Sequence, residues 1–127
     1  MMNLRPPLNA GLLLIALCGA ACAEKPTAAQ DWDATFVALG ETIVAENCVA
    51  CHGENGKGYI GPALNGSAHA WHHPDSLLVS FIRDGIAGTQ MPAQRDNLTD
   101  EEIDAVISYM KSWWSPQQRQ KQQSGQR

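Results

Sequence analysis

Cys48-Val49-Ala50-Cys51-His52 is the stretch on which the fold turns. Two thiols two residues apart, with an imidazole directly after the second, fit one helical turn that presents both sulfurs to the vinyl groups of one haem. The histidine then sits beneath the iron. Two thioether bonds would fix the porphyrin covalently, and the imidazole would supply an axial ligand from the same turn. A redox-active dithiol also uses Cys-x-x-Cys, but it expects a strand ahead of the motif and a βαβ frame, and neither is visible.

Ahead of the motif, a chain of 127 residues with 44% hydrophobic content supports one small globular domain. The first residues have a different character. Arg5 precedes an apolar run around Gly11 to Leu17, and Ala21-Cys22-Ala23 matches a signal-peptidase site before Glu24. Residues 1–23 are therefore expected to be a secretory signal, and 24–30, small, polar and proline-bearing, a linker. The run is short for a bilayer span. Membrane association would require a retained anchor or lipidation of Cys22, although Gly19 fits poorly three positions before a lipidated cysteine. Cleavage after Ala23 removes Cys18 and Cys22 and leaves only Cys48 and Cys51, with no odd thiol in an oxidising, exported or periplasmic setting.

The formal charge of the chain is −4. Loss of Arg5 leaves eight basic against thirteen acidic side chains, and three of the eight lie beyond Pro116, so the body is strongly acidic. That excludes a basic nucleic-acid surface and favours redox partners with a basic docking face.

Every apolar run carries helical spacing, no alternation marks a strand, and the fold class is all-α. Asp31 or Asp33 caps a first helix running to about Asn47, with Phe36, Gly40, Ile43 and Val44 on or near one face. Gly40 costs about 1 kcal/mol inside a helix and is explained by another element approaching the backbone there. The loop from Gly53 to Pro62 has four glycines beside Tyr59 and suits the wrapping of a cofactor. A second helix is expected from about Pro74 to Asp84, with Leu77, Leu78, Phe81 and Ile82 as its stripe and Gly85 at its end. A third begins at the Thr99/Glu102 capping box, carries Ile103, Val106, Ile107 and Met110, and ends around Trp114. Residues 116–127, rich in glutamine and without a large apolar side chain, are expected to be a disordered polar tail.

From about Asp31 to Trp114 the chain resembles a class I cytochrome c domain, which places the domain at 31–115. The resemblance implies a small cytochrome c fold in which the first and last helices cross and one covalently bound haem c completes the core. Gly40 matches the small residue at the crossing and Tyr109 the aromatic packed on it, whereas Val44 stands where many members carry an aromatic. The resemblance also implies Met91, in Thr89-Gln90-Met91-Pro92, as the second axial ligand opposite His52. A thioether is soft and neutral, so it favours Fe(II) and raises the potential. Pro62 would lie against His52, where a neighbouring carbonyl accepts the imidazole N–H, and Leu64 would dry the haem face. Tyr59, Trp71, Pro62 and Leu64 are thus assigned to the cofactor beside Cys48 and Cys51, and no catalytic residue is assigned.

His69, Trp71, His72 and His73 are not used by this simple picture. They suit polar contacts near the haem propionates, with Trp71 donating its indole N–H, or alternatively copper or zinc binding or a rival axial ligand. Adjacent Trp113 and Trp114 cannot both point inward from one helix. The expected function is single-electron transfer between protein partners by a monohaem cytochrome. The alternatives are an electron-accepting haem subunit of a larger dehydrogenase or oxidase, a peroxidase formed by loss of the methionine bond, or metal handling at His69–His73.

Overall fold

A computed structural model describes residues 33–125; the expected signal and linker at 1–30 lie outside the described residues. Asp33 accepts from the Thr35 N–H at 3.0 Å and starts α1, Ala34–Asn47, on which Gly40, Ile43 and Val44 are buried and Phe36 is half-buried. Helix α2, Val49–His52, follows at once. It leads into a loop containing a 3-10 turn at Glu54–Gly56, and a second such turn spans His69–His72. Helix α3, Asp75–Asp84, begins after Pro74 and stops at Gly85. Of its expected stripe, Leu78 and Ile82 are buried, while Leu77 is exposed and Phe81 is half-buried with its ring edge-on to His73.

Helix α4, Asp100–Ser112, has both halves of its capping box: Thr99 Oγ1 accepts from Glu102 N–H and the Glu102 carboxylate accepts from Thr99 N–H. Such a box secures two otherwise orphaned backbone donors and is worth about 1 kcal/mol. Ile103, Val106, Ile107 and Met110 bury the apolar face, and α1 packs against α4 as the main helix pair. At their contact Gly40 lies so close to the Ala105 backbone and Tyr109 Cβ that a side chain there has no room. No strand occurs among the described residues.

The tail is a correction. Residues Pro116–Ser124 form α5, with Ser115 and Gln118 making a second capping box and Pro116 in the first turn. Its anchor is polar, because α5 has no apolar stripe to bury. Gln122, 4% exposed, donates from Nε2 to His73 O at 3.1 Å and Asp75 Oδ1 at 2.7 Å. Lys111 of α4, 2% exposed, pairs its ammonium with the same Asp75 carboxylate. A buried ammonium is tolerable only with such a countercharge. Asp75→Ala is therefore expected to destabilise the protein by about 2–3 kcal/mol, at the low end for a broken buried pair because Asp75 keeps a 38% exposed side chain. Lys111→Met is expected to change stability by less than about 1 kcal/mol. Urea titration of the two variants checks the asymmetry; equal losses would contradict it.

Candidate functional site

The site grows out of the end of α1. Cys48 closes that helix through its N–H to Val44 O at 2.9 Å, and its own carbonyl accepts from Cys51 N–H at 3.1 Å and His52 N–H at 2.9 Å. The tight turn of α2 thus holds both cysteines and the histidine together, and both thiols are free. Burial, and then the nearby Cys51, push the Cys48 thiol up to about 11. Reactive dithiols need the opposite shift, toward thiolate, so Cys48 suits an uncharged thioether better than redox exchange.

His52 is 8% exposed, with Nδ1 2.8 Å from Pro62 O. A carbonyl can only accept, so Nδ1 carries the proton and Nε2 keeps its lone pair for a metal. Gly61 brings the loop flat against the ring. A Cβ at Gly61 would fall 2.8 Å from His52 Cε1, and the Gly61 N–H donates to Cys51 O at 2.8 Å. The loop therefore clasps the histidine from backbone alone. The acceptor is the carbonyl of Pro62 itself, where the resemblance implies a neighbouring one.

Met91 sits in the loop between α3 and α4. Ile86 N–H donates to Met91 O at 3.2 Å, Met91 N–H to Thr89 Oγ1 at 3.2 Å, and Gln94 N–H to Ile82 O at 3.0 Å, so the loop is closed on itself. Met91, Leu64, Trp71 and Cys48 are all half-buried against the same apolar cluster. These residues fit a haem: two thiols on one turn, an imidazole whose free nitrogen is a ligand, a thioether, and apolar side chains that need a further apolar surface to cover them.

Other expected members do not join the site. Tyr59 is 80% exposed and contributes only a backbone bond, its N–H to Gly61 O. The histidines diverge: His69 and His72 meet edge-on at 5.4 Å, His72 lies 3.8 Å from Trp71, and His73 turns to Phe81. Among the described residues no three His, Cys, Asp or Glu side chains gather so as to hold a metal ion. Trp71 faces Lys121 of α5, whose ammonium lies 5.9 Å from the ring centre.

Three residues near the site escaped the sequence. Trp114 is the buried member of the tryptophan pair and donates from Nε1 to Leu64 O at 2.7 Å, while Trp113 lies against Gly56 and Tyr109. Gln118 donates to Gly66 O at 2.7 Å. Lys111 had a visible signal, since it continues the apolar stripe one turn beyond Ile107 and so demanded a buried acid.

The family model described as cytochrome c oxidase, cbb3-type, subunit III matches residues 35–110. The cbb3-type cytochrome c oxidase subunit FixP of Bradyrhizobium sp. (strain ORS 278) is 40% identical over 86 residues, covering 65% of this chain but 28% of that protein. The chain therefore spans about 28% of the length of this relative. Cytochrome c55X of Paracoccus denitrificans is 31% identical over 99 residues, covering 78% of this chain and 89% of that one. Among solved structures, cytochrome cL of Methylophaga aminisulfidivorans aligns with a TM-score of 0.60 at 28% identity, over 74% of this chain and 65% of its own.

Proposed function

The chain belongs to the cytochrome c family represented by subunit III of cbb3-type oxidases, and on that premise we propose that it is an exported monohaem carrier of single electrons with His52 and Met91 on the iron. The observation that carries this reading is the buried His52, clasped through Nδ1 by Pro62 O on the turn that also bears Cys48 and Cys51. When bound, haem c supplies a one-electron iron couple. Cys48 and Cys51 hold it by thioether bonds, and Pro62 fixes the His52 ring while making it a stronger donor. The Met91 sulfur would favour the reduced iron and raise the potential. With His52 and Met91 both holding the iron, no acid–base constellation would be required of the chain, and the role would be that of a carrier. The acidic body suits partners with a basic docking face. Among the described residues no helix is long and apolar enough to cross a membrane.

The pyridine haemochrome spectrum is expected to show one haem attached through two thioethers, and the native protein to show the weak near-infrared band of a sulfur ligand. Met91→Ala is expected to abolish that band and to lower the reduction potential by on the order of 0.1 V, within the about 0.8 V range that axial ligands command. It should also convert a reduced form inert to carbon monoxide into one that binds it rapidly. Carbon monoxide binding by the parent protein would contradict a six-coordinate carrier. The likeness to FixP favours a second reading, an electron-accepting haem subunit of an oxidase. Co-purification with a catalytic subunit would support it.

A further inference from the structure

We propose that α5 is a positioning element for His52 and that Gln118 is the residue through which it acts; the proposal rests on His52 being the axial ligand. Three carbonyls at alternate positions of one non-helical segment each accept a side-chain donor. Pro62 O takes His52 Nδ1 at 2.8 Å, Leu64 O takes Trp114 Nε1 at 2.7 Å, and Gly66 O takes Gln118 Nε2 at 2.7 Å. On its other edge the segment is tied by Leu64 N–H and Asn65 N–H, both donating to Gly56 O at 2.8 and 3.2 Å. Lacking a ladder of its own, this backbone is held in direction by these partners. The carbonyl that orients the ligand is thus the first rung of a series whose last rung belongs to α5.

Gln118 is well placed to transmit a fixed position. Its Oε1 accepts from Ser115 N–H at 2.9 Å while its Nε2 reaches Gly66, so one amide joins the start of α5 to the segment. The far end of α5 is pinned by Gln122 to His73 O and Asp75. Trp114, Gln118 and Gln122 all lie beyond residues 35–110, which the family model matches. The consequence is chemical. The Nδ1–H bond to a carbonyl raises the basicity of the metal-bound nitrogen, so holding Pro62 O still tunes the ligand itself.

The test uses the haem-loaded full chain, labelled with 15N, and follows the His52 Nδ1 proton by NMR. Gln118→Glu keeps the acceptor for Ser115 N–H, so α5 stays capped, but loses the donor to Gly66 O and sets a carboxylate against that carbonyl. Helical content is expected to be unchanged while solvent exchange of the Nδ1 proton rises about tenfold, the loss of roughly one net hydrogen bond of restraint. Trp114→Phe removes the middle rung without adding charge; faster exchange and a raised reduction potential are expected. Ile43→Val, which trims the shared core without removing any hydrogen bond to the 62–66 segment, should exchange at the parental rate. Exchange within about twofold of the parent in both rung variants would overturn the proposal, as would equal acceleration in Ile43→Val. Absence of an iron-shifted histidine Nδ1 proton in the parent would instead overturn the ligand assignment.

Discussion

The double variant Cys48→Ala/Cys51→Ala, which cannot attach haem, is expected to show no cooperative thermal transition, a loss of the whole folding free energy of order 5 kcal/mol or more. The packing explains why. Between α1 and α4 the core is complete, with Ile103 and Ala105 fully buried and Val106 and Trp114 nearly so. On the side of the site it is not: Cys48, Val49, Leu64, Trp71 and Met91 reach the cluster yet stay half-buried. A domain of this length buries a modest fraction of its surface, and its two phenylalanines, two tyrosines and four tryptophans leave the site side open. The porphyrin supplies the missing apolar area. Trimming two small side chains would itself cost only about 1–2 kcal/mol, so the size of the loss separates the cofactor from the mutation. Cys48→Ala alone, which keeps one thioether, should retain a transition. Near-ultraviolet circular dichroism and calorimetry read the difference, and a sharp transition in the double variant would contradict it.

What the sequence showed and what it hid divide along the kind of interaction. Helix bounds at Asp33, Pro74, Gly85 and Thr99 were legible because each is a local event, a cap or a break that a few neighbouring residues decide. The turn at Cys48–His52 was legible because its chemistry requires those residue types at that spacing. Apolar burial alone predicts a disordered tail, because 116–127 has no apolar stripe. Ser115-Pro116-Gln117-Gln118 carries a capping box and a first-turn proline in plain view, yet α5 is anchored by amides to backbone carbonyls, and no hydrophobic pattern announces that. The rungs at Leu64 and Gly66 stayed hidden for a related reason. Trp114 and Gln118 meet them across 50 and 52 residues of chain, and a carbonyl acceptor leaves no trace in residue type. The histidines misled in the opposite direction. Three imidazoles in five positions look like a metal site, but His69 and His72 meet edge-on beside Trp71 while His73 turns away to Phe81.

Gly40→Ala is expected to destabilise the haem-loaded protein by about 2 kcal/mol, and Gly40→Val by about 4 kcal/mol or more. Two effects oppose each other at this position. Alanine in a helix gains about 1 kcal/mol over glycine, so by propensity alone the change would stabilise α1. Against it, a Cβ would stand 2.0 Å from Ala105 O and 2.6 Å from Ala105 C, and 2.9 Å from Tyr109 Cβ. The first two are backbone atoms and cannot rotate aside, so trimming a side chain on α4 gives no relief and the helices themselves must separate. Overpacking of that kind costs about 3 kcal/mol and decides the sign. The displacement also reaches the site from both sides, because α1 runs directly into Cys48 while Trp114, two residues past the end of α4, holds Leu64. Lower yield of covalently attached haem should therefore accompany the loss of stability, which urea titration would measure. A Gly40→Ala protein as stable as its parent would show that the helices re-seat freely, and that close approach is not what keeps glycine there.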